Sequence, residues 1–402
     1  MKQLLRSVRI RNFKAIEDTG RVSLGPLTVL IGHNGSGKSS FIEALETLQA
    51  IVHTDLDRAM VAHHGFEHAW NKAVPHTTFA PSKNRPPPKE RSRPYCINPM
   101  TFELHGTALG TLIGNCRATM DITSEPGVEP NRIFIQHESV VLGKETLFER
   151  DDTGRVRRKP KPEGLRPDAR LQDGESVLKD LGVAGLGRWQ FLTLVPQQMG
   201  EPVPQRRAGG EVRLAKDGGN IAQYLRWIRD EDLAAYDGIV DAMQIILSYA
   251  QDVQAALTSE LERTVYLQVT EKGFKLPGWL LSTGTVRILA LLALLRSPSP
   301  PPLLVVEEIE NGLDPRTIGL VVDEIRSAVG AGDTQIILTT HSPYLLDKLS
   351  IDQIVTVERS DGGSPVFRRP AEEKELRQWA AKFAPGSLYS MGMLRSKERR
   401  VR

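Results

Sequence analysis

The chain has 402 residues, of which 40% are hydrophobic and 25% are charged, a composition typical of a globular protein and not of a disordered one. The 52 basic and 49 acidic residues leave a net charge of +3, so the overall field does not point to nucleic acid. With only two cysteines, Cys96 and Cys116, and no apolar run near the roughly 18 residues of a membrane span, we expect a cytoplasmic protein with free thiols.

The first informative element is a glycine-rich loop that follows the short apolar stretch "LTVLI" at residues 27–31. The loop fits the pattern G-x-x-x-x-G-K-[ST] through Gly32, Gly37, Lys38 and Ser39, and the residues after it carry apolar side chains at helical spacing. Strand, glycine loop and helix in this order predict a phosphate-binding loop. The alternative interpretation is an ordinary glycine-rich turn between a strand and a helix.

The residue types suit phosphate chemistry. Gly35 and Gly37 let backbone N–H groups converge on a phosphate, and the start of the following helix adds a favourable dipole. Lys38 then reaches the β- and γ-phosphates of a nucleoside triphosphate, and the Ser39 hydroxyl is a hard oxygen ligand for Mg²⁺.

Residues 53–98 read as an insertion that ends in the proline- and arginine-rich stretch "APSKNRPPPKERSRP". Three histidines within it, His63, His64 and His68, leave zinc binding open as an alternative. No paired cysteines and no HExxH pattern accompany them.

The central part of the chain changes its periodicity. Residues 100–150 alternate with period two, as in "TFELHG" and "CRATMDIT", and predict an antiparallel side sheet. Residues 172–262 show helical spacing, for example at Ile221, Leu225 and Ile228, and predict a helical lobe. No heptad pattern continues for tens of residues, so we expect no long coiled coil.

A second anion-binding helix start is predicted at "LSTGT". Ser282 can cap the helix and Gly284 opens access to backbone N–H groups, ahead of a strongly apolar helix. Since one ATP does not need two such cradles from one chain, we expect this one to serve the ATP of another subunit.

Carboxylates follow a buried strand in "PPLLVVEEIENGLDP". Residues 303–306 are continuously apolar, as in a parallel strand covered on both faces, and lead directly into Glu307 and Glu308. Because neighbouring strand residues point to opposite faces, we assign Glu307 to Mg²⁺ and Glu308 to the attacking water as general base. A solvated acidic turn is the alternative.

The segment "TQIILTTHSPYLLDKL" predicts a further buried strand over residues 335–338, with His341 after it and a short helix opened by Ser342 and Pro343. A right-handed crossover from the preceding strand places His341 at the same sheet edge as the glycine loop. We therefore predict that His341 contacts the γ-phosphate.

Together these motifs resemble the ABC-type ATPase heads of the SMC/RecF/OLD group. The correspondence rests on "GHNGSGKS", "LSTGT", "LLVVEE", "NGLDP" and "TTHSP" in this order, and on the opening "VRIRNFKAI". Within that group the chain is similar to bacterial predicted AAA-type ATPases that also occur in phage-defence systems. The resemblance implies an α/β fold, an ABC/SMC-like P-loop NTPase head with an antiparallel side sheet and a helical lobe.

The resemblance also implies a set of nucleotide-binding residues. It places Glu308 and His341 at the reaction, Ser39 and Glu307 at Mg²⁺, and Asp314 near the axis of a head-to-tail dimer. The residues expected to contact ATP are Asn12, Phe13, Gly32, Asn34, Gly35, Gly37, Lys38, Ser39, Ser40, Ser282, Gly284 and Asp314. Gln136 is a candidate for the glutamine that such heads carry near the nucleotide.

The predicted organisation has three segments: residues 1–171 as the first part of the ATPase head, 172–263 as the helical lobe, and 264–402 as the second part of the head. Three functions fit. The first is an ATP-driven switch or scaffold in an anti-phage defence system, which controls a separately encoded nuclease or toxin. The others are a RecF/SMC-like DNA-repair or chromosome-maintenance clamp and, less favoured, a transporter ATPase.

The resemblance implies a homodimer or a larger assembly built from it, with no membrane partner. Basic runs near residues 91, 155–170 and 395–402 allow a DNA or RNA surface, with solubilising loops as the equal alternative.

Overall fold

A computed structural model describes residues 5–74, 96–109, 112–125, 132–151, 154–158, 171–180, 184–206, 209–247, 249–258 and 263–396. The chain forms two compact units. The first unit comprises Met1–Trp189 and Val355–Pro370, and the second comprises Gln190–Ile354 and Ala371–Arg402. These limits differ from the three predicted segments, whose functional meaning stays a prediction.

The first unit carries most of the strands. Its strands are β1 (Leu5–Phe13), β2 (Ile16–Asp18), β3 (Val22–Ser23), β4 (Leu27–Ile31), β5 (Met100–Leu109), β6 (Leu112–Ser124), β7 (Ile133–Leu142), β8 (Glu145–Arg150), β9 (Val156–Arg158) and, late in the chain, β17 (Ile354–Arg359) and β18 (Pro365–Arg368). Its helices are α1 (Lys38–His53), α2 (Leu56–Val61), α3 (Phe66–Ala69), α4 (Val177–Asp180) and α5 (Ala184–Gly187).

The larger sheet of this unit is antiparallel and has the order β2-β1-β5-β6-β7-β8-β9, with β3 also paired to β1. The alternation in residues 100–150 produces it, since side chains such as Leu104, Met120 and Val140 are buried while their chain neighbours are more exposed. The predicted side sheet is confirmed.

A buried ion pair holds the chain after this sheet in place. Glu138 and Arg150 are both completely buried, and the Arg150 guanidinium donates to the carbonyl oxygens of Gln172 and Glu175. Glu138 in turn accepts hydrogen bonds from the Ser176 hydroxyl and the backbone N–H of Val177. Residues 172–177 are thereby fixed against the sheet.

Strand β4 and helix α1 form the support of the glycine loop, as predicted. All five residues of β4 are buried, and β4 lies beside β17, which pairs antiparallel with β18. Helix α1 buries the apolar face that includes Phe41, Leu45 and Leu48. The glycine loop therefore connects two well-packed elements, β4 and α1.

The second unit alternates strands and helices. Its strands are β10 (Gln190–Leu192), β11 (Val203–Pro204), β12 (Ala250–Leu257), β13 (Thr264–Glu271), β14 (Phe274–Pro277), β15 (Leu303–Val306) and β16 (Gln335–Thr339). Its helices are α6 (Pro196–Met199), α7 (Ile221–Glu231), α8 (Leu233–Ile246), α9 (Thr283–Leu295), α10 (Pro315–Ala331), α11 (Pro343–Asp347), α12 (Lys374–Ala380) and α13 (Pro385–Ser390).

Strands β10, β15 and β16 are parallel neighbours in that order. Every residue of β15 and β16 is buried, which explains the unbroken apolar sequence of β15 and of residues 336–338 in β16. Parallel strands end at one edge, so the residues that follow β10, β15 and β16 meet there.

The predicted helical lobe is only partly helical. Helices α7 and α8 occupy residues 221–246, but β10 and β11 precede them and β12 follows. Strand β12 pairs with β13 in a four-stranded antiparallel sheet that also contains β11 and β14. The prediction of helix is therefore wrong for residues 250–257. This segment has few β-branched side chains, so its own sequence does not indicate a strand, and it becomes one by pairing with β13.

Across the described ranges, no helix is long and apolar enough to cross a membrane. Both cysteines are buried free thiols. Residues 75–95, 159–170 and 397–402, which carry most of the proline- and arginine-rich stretch and of the basic runs, lie outside the described residues. The predicted nucleic-acid surface stays a prediction.

Candidate functional site

The glycine loop in the first unit is shaped by packing as well as by its predicted ligand. Gly37 has φ of 114°, and a Cβ atom there would lie 2.3 Å from Cγ of Pro365. A Cβ atom at Gly32 would lie 2.2 Å from the carbonyl oxygen of Val357. No side chain fits at either position, so the hairpin formed by β17 and β18 requires these glycines independently of any nucleotide.

Lys38 begins helix α1 and is almost completely buried. Its Nζ atom donates to the carbonyl oxygens of Gly32, at 2.7 Å, and His33, at 3.1 Å. The ammonium group therefore lies against the loop itself, at the position from which a lysine contacts a bound phosphate.

Two further features of the loop are consistent with phosphate binding. The hydroxyl oxygen of Ser36 is buried without a hydrogen-bond partner. Gly37 is the N-cap of α1 and offers no side-chain acceptor to the first turn, where Ser39 is exposed and Ser40 half-buried. A bound anion would accept hydrogen bonds from the Ser36 hydroxyl and from the N–H groups at the start of α1, because helix N-termini and glycine loops present donors to an anion.

Two predicted nucleotide contacts have structural side chains. The Asn12 amide donates to the carbonyl oxygens of Asn98, at 3.0 Å, and Pro99, at 2.9 Å. The Phe13 ring is fully buried and packs edge-on against the His63 ring, with centroids 5.5 Å apart. The amide nitrogen of Asn12 and the ring of Phe13 are therefore engaged in contacts within the protein. Asn34 is exposed in the loop.

In the second unit, the two carboxylates that follow β15 are held from opposite sides. The backbone N–H of Glu307 donates to Leu192, and the Thr193 hydroxyl donates to the Glu307 carboxylate at 3.3 Å. The backbone N–H of Glu308 donates instead to the Thr339 hydroxyl, at 2.8 Å. The structure thus separates the environments of the two glutamates, as alternation along the strand predicts.

Glu308 has a left-handed backbone with φ of 48°. Such a conformation is uncommon for a residue with a side chain and costs about 1–3 kcal/mol when it is maintained by its surroundings. Its carboxylate is exposed and accepts a hydrogen bond from the Asn311 amide at 2.5 Å. Backbone strain and exposure together make Glu308 the most distinctive carboxylate of this loop.

His341 follows β16, as predicted, and is half-buried. Its backbone N–H donates to the Glu310 carboxylate at 2.5 Å, while the second oxygen of Glu310 is buried without a hydrogen-bond partner. Glu310, the third acidic residue in "EEIE", was not among the predicted site residues.

Helix α9, whose start was predicted at "LSTGT", begins as expected. Ser282 is its N-cap, and the serine hydroxyl accepts the backbone N–H of Thr285 at 3.1 Å. A Cβ atom at Gly284 would lie 2.4 Å from the carbonyl oxygen of Gly312, so this glycine is required by close contact with the loop after β15. Ser282 is exposed and available to a ligand or another subunit.

Asp314 has a capping role in the chain itself. Its carboxylate is the N-cap of α10, accepting the backbone N–H groups of Arg316 and Thr317 and the Thr317 hydroxyl. The hydroxyl hydrogen bond is the main cause that lowers the pKa of Asp314. The aspartate is nevertheless exposed, so its predicted place near a dimer axis stays a prediction.

Arg287 in α9 was also missed. Its guanidinium donates to the carbonyl oxygen of Leu194 at 2.9 Å, just beyond β10. Desolvation lowers its pKa, and the nearby negative charge of Glu308 partly offsets that effect. The arginine therefore links α9 to the edge of the parallel strands at which Glu307 and Glu308 lie.

Two alternatives from the sequence lose support. The side-chain oxygen of Gln136 accepts the backbone N–H of Cys96 at 2.7 Å, and its side-chain nitrogen donates to the Cys96 carbonyl oxygen at 3.0 Å. Gln136 therefore has a structural role in the side sheet. The His63 ring is hydrogen bonded to the Thr47 hydroxyl at 2.6 Å. In the part of the chain that the structure describes, no three His, Cys, Asp or Glu side chains are grouped to hold a metal ion.

Comparison with protein-family models gives two matches. Residues 148–347 match a model described as "AAA domain, putative AbiEii toxin, Type IV TA system", and residues 1–65 match one described as "AAA ATPase domain". Both matched segments contain predicted nucleotide-binding motifs. No curated protein matches the sequence.

Solved structures identify the architecture. An SMC head bound to the C-terminal winged-helix domain of ScpA matches with a TM-score of 0.51 at 15% identity, over 90% of this chain and 96% of that one. The chain has the fold of an SMC head domain. An SMC head from Pyrococcus furiosus matches with a TM-score of 0.50 at 11% identity, over 94% of this chain and 100% of that one.

A third head, from Pyrococcus yayanosii and bearing a coiled coil and joint, also matches with a TM-score of 0.50 at 11% identity. The match covers 95% of this chain and 100% of that one. At these identities the likeness concerns the fold, and the individual site residues rest on the geometry described above.

Proposed function

We propose that this head is a Mg²⁺-dependent ATPase that binds and hydrolyses ATP at a head-to-tail interface of two copies. The observation that carries the proposal is the structure of the glycine loop. The Lys38 ammonium group donates to a carbonyl oxygen of the loop, the buried Ser36 hydroxyl has no hydrogen-bond partner, and α1 starts without a side-chain cap. These are features of an anion site that is formed before its ligand binds.

Each predicted residue has a chemical role in this proposal. Lys38 and the loop N–H groups bind the phosphates of ATP. The hydroxyl of Ser39 and the carboxylate of Glu307 are the hard oxygen donors that Mg²⁺ prefers, and Mg²⁺ would neutralise charge on the phosphates. Glu308 orients and polarises the attacking water, and His341 contacts the γ-phosphate.

The exposed start of α9 supports a second copy of the chain as the partner. Ser282 is exposed at this helix start, and Gly284 beside it carries no side chain that would block the approach of a ligand. A two-fold arrangement would bring this start to the partner's ATP and would create two equal sites. ATP then holds the dimer closed, and hydrolysis releases it.

In the cell, we propose that this ATP-driven switch acts in anti-phage defence and controls a separately encoded nuclease or toxin. The support is the family model for residues 148–347, whose description names a putative toxin of a toxin–antitoxin system, together with the motif resemblance. A DNA clamp of RecF/SMC type is the alternative.

Direct ATP binding tests the assignment of the loop. We expect Lys38→Ala to weaken ATP binding by roughly a hundredfold or more, since a lysine that contacts two phosphates is lost, as measured by isothermal titration calorimetry. The exposed Lys72→Ala variant of the same unit is the control and should bind normally. Unchanged affinity in Lys38→Ala would refute the phosphate-loop assignment.

Mixing two inactive variants tests the shared site. Lys38→Ala and Ser282→Arg should each lack ATPase activity, but mixed dimers contain one intact site. A one-to-one mixture should recover about a quarter of wild-type activity, because half of randomly paired dimers are mixed and each has one of two sites. No recovery in a mixture shown to exchange subunits would contradict the head-to-tail arrangement.

Co-purification separates the cellular roles. The defence proposal predicts a stable complex with the product of a neighbouring gene and ATPase activity independent of DNA length. Activity stimulated by DNA, with a steep salt dependence, would instead support the clamp.

A further inference from the structure

The hairpin of β17 and β18 lies within the first unit against the glycine loop, residues 32–37, which is the proposed phosphate loop. Pro365 occupies the space beside Gly37, the carbonyl of Val357 approaches Gly32, and the Phe367 ring packs on the Phe41 ring of α1 with centroids 5.1 Å apart. The hairpin thus contacts both ends of the loop and the helix that follows it. None of the sequence motifs includes this hairpin.

Arg359, at the end of β17, connects the two segments through its guanidinium. Its Nε atom donates to the carbonyl oxygen of Gly35 at 2.7 Å, and Nη1 donates to the carbonyl oxygen of Gly363 at 2.6 Å. The planar guanidinium holds both acceptors in a fixed relation, which a flexible ammonium group cannot do as well.

The contact fixes one peptide group of the phosphate loop. Gly35, with φ of 73°, lies in a turn closed by the Ser36 N–H, which donates to His33 at 3.1 Å. In a trans peptide the C=O and the next N–H point in opposite directions. When Arg359 binds the Gly35 oxygen, it therefore fixes the Gly35–Ser36 peptide against rotation.

Orientation of this peptide matters to an anionic ligand. If the Gly35 carbonyl turned inward, its oxygen would place a partial negative charge at the phosphates. The hydrogen bond from Arg359 keeps this oxygen directed at the guanidinium, which also offsets the negative charge of the oxygen. The arginine also adds a second positive charge beside the loop that contains Lys38. Both effects favour the bound state without involving the atoms that react.

We propose that Arg359 is a positioning residue for ATP, which holds the Gly35 peptide of the phosphate loop in its binding orientation and thereby sets nucleotide affinity. This inference rests on the proposed ATPase function. Arg359 acts through the loop, so its removal should change binding far more than the rate of the chemical step.

The test compares ATP affinity and turnover in substituted full-length proteins. Arg359→Ala should raise the Kd for ATP about tenfold, the loss expected for one hydrogen bond from a charged donor, with kcat at saturating ATP within about twofold of wild type. Arg359→Lys should recover part of the affinity, because lysine can reach one carbonyl but cannot bridge two.

The chain offers a matched control in Arg369. Its guanidinium also donates to a backbone carbonyl, that of Ser23, at 2.6 Å, but away from the phosphate loop. Arg369→Ala should bind ATP normally. Thermal melting of each variant identifies the temperature range in which it is folded, and affinities are compared there, with Arg359→Lys as the least disruptive change.

The outcomes separate this inference from the function on which it rests. If wild type fails to bind ATP, the proposed function is wrong. If wild type binds ATP and Lys38→Ala does not, but Arg359→Ala binds like wild type, the function stands and the role of Arg359 is refuted. An equal loss in Arg359→Ala and Arg369→Ala would also refute it, as would a fall in kcat with unchanged affinity.

Discussion

The glycine loop of the first unit, residues 32–37 and proposed to bind phosphate, and the carboxylate loop of the second, residues 307–314, are stabilised in opposite ways. The first is surrounded by backbone and ring atoms, from Pro365 beside Gly37 to the Val357 carbonyl beside Gly32. The second exposes Glu308 and Asn311 and is held by side-chain hydrogen bonds.

The difference follows from the chemistry predicted for each loop. A loop that binds through backbone N–H groups must keep its peptides fixed, since rotation of one peptide replaces a donor with an acceptor. A loop that acts through carboxylates needs side chains that reach a ligand, and only its backbone must be constrained, as at Glu308. Substitutions should therefore affect stability in one loop and turnover in the other.

The strongest test of this contrast is Glu308→Gln. The substitution keeps the size and the acceptor oxygen of the side chain but removes its ability to accept a proton. We expect turnover to fall by roughly 10² to 10⁴, the range for a positioned general base, while ATP binding and ATP-dependent assembly persist. Steady-state ATPase assays and size-exclusion chromatography with ATP measure the two effects.

Exposed Glu231→Gln, at the end of α7, is the control and should retain wild-type turnover. If Glu308→Gln hydrolyses ATP at the normal rate, another group is the base. If it loses stability instead, the carboxylate loop resembles the phosphate loop and the contrast disappears.

A second test exchanges glycine for alanine in the phosphate loop. Gly37→Ala introduces a methyl group that meets Pro365 at a φ of 114°, so we expect the free energy of unfolding to fall by about 1–3 kcal/mol. ATP binding should weaken as well, since the loop must shift. Chemical denaturation monitored by circular dichroism measures the stability.

The matched control is Gly319→Ala in helix α10, where a Cβ atom meets nothing within 4 Å. Alanine there should stabilise the protein by about 0.5–1 kcal/mol through helix propensity. A neutral Gly37→Ala variant would show that the hairpin does not constrain the loop.

The smallest expected effect is a pH dependence in the side sheet, remote in sequence from both loops. Thr101, Asp121 and His137 are cross-strand neighbours, and the hydrogen bond with Asp121 is the main cause that raises the pKa of His137. A raised folded-state pKa stabilises the fold below the unfolded value of about 6.5, and this stabilisation is lost as pH rises through the folded pKa.

We expect the loss to be below about 1 kcal/mol, because both side chains are partly exposed. Denaturation curves between pH 5 and pH 8, about the range in which histidine titrates, should show it in wild type and not in Asp121→Asn. ATP affinity at constant pH should be equal in the two proteins. A change in affinity would mean that the side sheet acts on the phosphate loop.

The local elements around the motifs were predictable because their sequences are strongly patterned. Strand β4, strand β15 and the capped start of α9 lie where the apolar runs and Ser282 indicate. In each case the residues that define the element are adjacent in the chain, so local propensity and the tertiary environment favour the same structure.

The supporting contacts were not predictable in this way. Arg359 and Gly35 are 324 residues apart, and nothing in either local sequence specifies the partner. Thr193 reaches Glu307 because β10 pairs with β15, a pairing that an apolar run alone does not reveal. Strand β12 was misread as helical because its conformation depends on β13.

The close approach of Gly284 to the carbonyl of Gly312 has a mechanical consequence. Since not even a methyl group fits there, the helix start that would meet the neighbour's nucleotide cannot shift without displacing the segment that holds Asn311 against Glu308. In the proposed dimer, each copy would therefore transmit a displacement caused by the neighbour's nucleotide to its own carboxylate loop through this steric contact.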